Sequence, residues 1–84
     1  MEYNNYMLDH SIPPYVAQYF WGDNLAQLNL ENNQKYIIET LLEKGDSKSL
    51  HWLFSNLDKQ TIVDYLPTLK LSKKSGNFWN IYLS

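Results

Sequence analysis

Apolar positions along this chain come in short blocks at helical spacing. Each block is bounded by a residue that starts or stops a helix. Val16, Ala17, Phe20 and Trp21 fall at i, i+1, i+4 and i+5, just after Pro13 and Pro14. Proline suits the first helical position, where the N–H has no partner to lose, and Gly22 is a natural stop. Residues 23–30 are short and Asn-rich, with Leu25, Leu28 and Leu30 as anchors to a core. The spacing of Ile37, Ile38, Leu41 and Leu42 predicts a second helix over 31–44, with Tyr36 at the edge of the stripe. Glu31 in its first turn and Lys44 in its last both suit the helix dipole. Gly45 ends it, and Asp46 caps a third helix over 47–57, in which Leu50, Leu53, Phe54 and Leu57 fall at i, i+3, i+4 and i+7. Asp58 caps a fourth, with Ile62, Val63, Leu66 and Leu69 inward and Tyr65 beside them. Pro67 disfavours the α conformation at Leu66, so this helix should end or kink there. Ser72 caps a last helix over 73–83 that carries Phe78, Trp79, Ile81, Tyr82 and Leu83. No run alternates like a strand. The prediction is an all-α, compact bundle of four to five short helices. Its core should hold Ile37, Ile38, Leu41, Leu42, Leu50, Leu53, Phe54, Ile62 and Leu66. Residues 12–84 read as one helical domain. Residues 1–11 have no clear period and read as an N-terminal arm, in which Tyr3, Tyr6, Met7 and Leu8 could dock on something.

Composition narrows the class. The 84 residues fit one small domain, which buries little more than about 60% of its unfolded surface. There is no cysteine to staple it, and 15% of its residues are aromatic. A protein partner or a homo-oligomer is the other expected source of support. Seven Lys and no Arg face nine Asp or Glu, a net charge of −2. That balance disfavours nucleic-acid binding, which needs a positive field. No stretch has the length of a signal peptide core or a membrane span, so a cytoplasmic protein with no membrane partner is expected.

Motifs for catalysis are missing. Gly22, Gly45 and Gly76 are isolated, so no glycine-rich phosphate loop exists. His10 and His51 are far apart, with no spacing that gathers the three or four ligands of a metal. Neither an enzymatic activity, a cofactor nor a metal is expected. Three local features remain. First, Lys73 and Lys74 stand in the first turn of the last helix, where the dipole favours acids, and Lys70 is close by. Either they are solvated at a cost of about a few tenths of a kcal/mol, or they meet an anion or an acidic partner. Second, Trp52 points roughly opposite to Leu50, off the core stripe. It either packs under the arm or the last helix, or stands exposed as an interface anchor. Lys70, Lys73, Lys74 and Trp52 are thus the candidate partner- or anion-binding residues. Third, the helix pair around Asp58 has the size of a helix-turn-helix. Lys59, Gln60 and Thr61 would then be the DNA-binding residues, with Asp64 placed badly for phosphates. Two packed helices that bind nothing are the simpler reading of the same pair.

A longer string carries a resemblance. Phe20-Trp21 is followed by Leu28-Asn29-Leu30, Tyr36-Ile37-Ile38, Leu42-Glu43-Lys44-Gly45-Asp46 and Trp52-Leu53, and then by the stretch from Leu71 to Trp79, LSKKSGNFW. Over residues 13–83 the chain resembles a family of small bacterial proteins of unknown function, often encoded beside nucleotidyltransferase-type abortive-infection toxins. The resemblance implies an antitoxin-side or toxin-associated partner, with basic residues usual at Lys73 and Lys74 and Trp or Phe at Trp21, Trp52 and Trp79. The chain departs from the pattern at Pro67 and in having no Arg. The expectation is a non-catalytic binding protein in a toxin–antitoxin-like operon. The alternative is a small helix-turn-helix DNA-binding regulator.

Overall fold

Proline sets the first element. Pro13 is extended and Pro14 opens α1 (Pro14–Ala17), which tightens at once into a 3₁₀ turn over Gln18–Phe20. The structure, a computed structural model, describes residues 12–20 and 28–84. The expected arm over 1–11, and Trp21, Gly22 and Leu25, lie outside the described residues. Val16 and Phe20 are buried, as their spacing requires.

The second helix, α2 (Gln34–Lys44), starts three residues later than its apolar pattern suggests. Asparagine side chains explain the delay. Asn29 Oδ1 accepts the Asn32 N–H at 2.8 Å, and Asn33 Oδ1 accepts the Asn29 N–H at 3.1 Å. Such local bonds compete with the helical ladder and hold a turn instead. Glu31 therefore lies outside the first helical turn and contributes nothing there, while Lys44 does stand in the last turn. Gly45 closes the helix. A Cβ at Gly45 would come within 2.6 Å of the Leu41 carbonyl oxygen, so the position needs glycine for close approach.

Two aspartates then start two helices. Asp46 caps α3 (Ser47–Asn56) by accepting the Ser49 N–H at 2.9 Å. Asp58 caps α4 (Lys59–Tyr65) by accepting the Thr61 N–H at 2.9 Å. At Pro67 the chain tightens into a 3₁₀ turn over Leu66–Thr68, the break expected there. Ser72 caps α5 (Lys73–Tyr82). The described residues thus form five helices and no strand.

The central helix is α2, which packs on α3, on α5 and on the 3₁₀ turn after α1. The described core includes Val16, Phe20, Ile37, Ile38, Leu41, Leu42, Leu53, Ile62, Trp79 and Leu83. Leu28 and Leu30 are also buried, as expected of anchors. Three expected core residues differ: Leu50, Phe54 and Leu66 are only half-buried against the cluster. Leu50 and Phe54 lie on the side of α3 that lines an open cleft, and Leu66 sits in the turn forced by Pro67.

Gly76, inside α5, has a different status from Gly45. A Cβ there meets nothing within 4 Å. Glycine costs a helix interior about 1 kcal/mol relative to alanine. Gly76→Ala should therefore stabilise the chain by about 0.5–1 kcal/mol, read as a higher urea midpoint at unchanged slope.

Candidate functional site: an aromatic face on the last helix

The start of α5 resolves the lysine anomaly. Glu43 of α2 reaches the N-terminus of α5, where its carboxylate accepts the Ser72 N–H at 2.7 Å and the Ser72 and Ser75 hydroxyls at 2.8 and 3.0 Å. Ser72 Oγ in turn accepts the Ser75 N–H at 3.2 Å. The acid that the dipole favours is therefore present, but it comes from another helix. The neighbouring Glu39 accepts the backbone N–H of Lys70. The side chains of Lys70, Lys73 and Lys74 are exposed. Their sequence position requires no ligand to account for it.

The same contacts shape the response to acid. The Ser72 backbone N–H, and then its hydroxyl, hold the Glu43 carboxyl below its ordinary value of 4.5. Asp46 is lowered by the Ser49 N–H and side chain, and Asp58 by the Thr61 hydroxyl and N–H. A folded-state value below the unfolded one contributes stability above the unfolded value, which is lost as pH falls through the folded one. Glu43→Gln should thus lower the melting temperature at neutral pH. The gap to wild type should narrow as pH falls from about 5 to about 3. Parallel melting curves across that range would remove Glu43 from the fold's acid sensitivity.

The helix-turn-helix candidates are engaged locally. Gln60 Nε2 donates to Asp64 Oδ1 at 2.8 Å, and the Thr61 hydroxyl belongs to the Asp58 cap. Lys59 and Gln60 are exposed, and Thr61 is half-buried. Trp52 is neither free nor fully inside: it packs half-buried against the core, and its carbonyl accepts the Asn56 side-chain amide at 2.8 Å.

The largest anomaly lies on α5. Phe78 is 55% exposed, Ile81 76% and Tyr82 65%, while Trp79 between them is buried. Residues at i, i+3 and i+4 share one helical face, so these three form a continuous apolar ridge. Lys74 stands one turn before Phe78 in the same row. Phe78 and Tyr82 stack with ring centroids 5.6 Å apart at 10°. Trp79 meets both edge-on, at 4.9 and 5.5 Å, and stacks on Phe54 of α3 at 6.0 Å. Its indole N–H donates to the Leu42 carbonyl at 2.8 Å and anchors α5 to the end of α2. Beside the ridge, a cleft of about 650 Å³ opens between α3, α4 and α5. Leu50, His51 and Phe54 form one wall, Phe78 and Tyr82 the other, and Lys59 stands at the start of α4. Among the described residues, no acidic side chain lines it.

Sequence reasoning named Phe78, Ile81 and Tyr82 as members of the last helix without assigning them a role. A signal was present. At about 100° per residue Ile81 points nearly opposite to Trp79 and Leu83, Phe78 stands well to one side of them and Tyr82 lies between, so one buried face could not take all five. Among the described residues, no group of three or more His, Asp or Glu converges as metal ligands, and no helix is long and apolar enough to cross a membrane.

Comparison with known proteins gives one match. The model of a family of unknown function, DUF6922, fits residues 17–66. That stretch runs from the end of α1 through α4 to Leu66 and stops before α5. Neither a curated protein nor a solved structure matches the chain.

Proposed function

We propose, for a chain that belongs to the DUF6922 family of unknown function, that it is a non-catalytic protein-binding module and that the exposed face of α5 is its contact surface. The carrying observation is the ridge of Phe78, Ile81 and Tyr82, each more than half exposed, beside an open cleft with apolar walls. Contiguous exposed apolar surface of this kind marks sites where proteins meet partners. Aromatic side chains on a rigid helix also make good anchors, because they lose little entropy on binding. Trp79 supplies the rigidity through its bond to Leu42 and its stack on Phe54.

The resemblance of the sequence to proteins encoded beside abortive-infection toxins supports a biological setting. In this reading the chain is bacterial and cytoplasmic, and it is the antitoxin-side or toxin-associated member of a pair. Lys74 lies on the face itself, whereas Lys70, Lys73 and Trp52 lie off it and are secondary contacts. The helix-turn-helix alternative is weaker, since the side chains of Gln60 and Thr61 are already engaged.

Co-expression with the product of the adjacent gene tests the reading. Wild type should co-purify with that product, and Ile81→Asp should not, while keeping its far-ultraviolet spectrum. Binding to DNA whose affinity falls steeply with salt and survives Ile81→Asp would favour the regulator instead.

A further inference from the structure

Resting on that reading, the charge around the face identifies the kind of partner. We infer that the α5 face takes an amphipathic helix whose apolar side chains enter the cleft and whose flanks are acidic. The chain as a whole is acidic, with nine Asp or Glu to seven Lys. The cleft departs from that average: among the described residues its ionisable lining consists of Lys59, His51 and Tyr82, without one carboxylate. Lys74 adds a second cation, in the row of Phe78 and Tyr82. The nearby carboxylates are turned to other duties. Asp58 caps α4, Asp64 accepts from Gln60, and Glu43 is held by Ser72 and Ser75. Neither Lys59 nor Lys74 has a carboxylate partner among the described residues, so both remain available to a bound acid.

Shape agrees with charge. The cleft lies between helices and has room for more than one apolar side chain, the geometry in which a helix docks through anchors at i, i+3, i+4 and i+7. Acidic flanks would then fall beside Lys59 and Lys74. Complementary charge of this kind raises the association rate and rejects wrong partners more than it adds affinity. A second copy of the chain fits less well. Symmetric pairing places the same patch against itself, and among the described residues this patch offers lysines and no carboxylates.

Two synthetic helical peptides test the inference, both with Leu and Phe at i, i+3, i+4 and i+7. One carries Glu at every flanking position and the other Lys. The acidic peptide should bind the full chain and shift the amide resonances of Phe78, Ile81 and Tyr82. Its affinity should fall at least about tenfold in Lys59→Glu/Lys74→Glu, and that difference should shrink at 1 M salt. Equal or tighter binding of the Lys peptide overturns the inference, as does acidic-peptide binding that leaves those resonances unmoved or no binding at all. A species of twice the chain mass that Ile81→Asp dissolves also overturns it, because a second copy then covers the face. If the peptides fail while Ile81→Asp still abolishes co-purification with the adjacent gene product, the face binds protein and only the acidic-helix assignment is lost.

Discussion

Trp79→Ala is expected to cost about 3–5 kcal/mol. The side chain is only 5% exposed and makes three kinds of contact at once. Its ring fills the space between α5 and Phe54, it meets Phe78 and Tyr82 edge-on, and its N–H satisfies the Leu42 carbonyl. That carbonyl is one of the last four of α2, which no later turn of the helix can reach. Removing the indole therefore opens a cavity and also strips an acceptor at a helix end. Trp79→Phe separates the two effects. It keeps most of the ring and loses the hydrogen bond, so it should cost about 1–3 kcal/mol. Urea unfolding of both variants checks the split. A Trp79→Phe variant as stable as wild type would show that water replaces the indole at Leu42. The alanine variant should also lose partner binding, since Trp79 ties α5 to α2 through Leu42 and to α3 through Phe54.

Legibility in the sequence followed the range of the interaction. Helices α3, α4 and α5 were readable because their caps are local: Asp46, Asp58 and Ser72 each accept an N–H three residues on. Pro67 acted through its own ring and marked the break correctly. The start of α2 was misplaced because Asn29, Asn32 and Asn33 bond to each other, and an apolar stripe carries no record of that. The Glu43 contact spans 29 residues to Ser72, so nothing near Lys73 announced it. With that acid out of view, the position of Lys73 and Lys74 in the first turn looked unexplained, although Glu43 accounts for it. For the exposed ridge, the stripe rule was applied to find the core. The surplus of apolar positions on α5, which that rule leaves over, is the feature on which the proposed contact surface rests.

Leu53→Ala carries the second large expectation, about 2–5 kcal/mol. Leu53 is 0% exposed and sits where α3 faces the core. A small domain has a total stability near the low end of about 5–15 kcal/mol, so this one change could leave much of the chain unfolded at physiological temperature. The informative comparison is with Leu50 on the same helix. Leu50 lies three residues earlier in the same predicted stripe, yet it is half-buried on the wall of the cleft. Leu50→Ala should cost clearly less than Leu53→Ala, because part of its surface already meets water and less is returned to solvent. The order should reverse for function. Leu50→Ala removes a wall of the docking cleft and should weaken partner binding in a chain that still folds. Leu53→Ala should reduce binding only in proportion to the folded fraction. Equal destabilisation by the two would mean that the cleft is closed in solution, and the face on α5 would then lose the depth on which its assignment as a docking site depends.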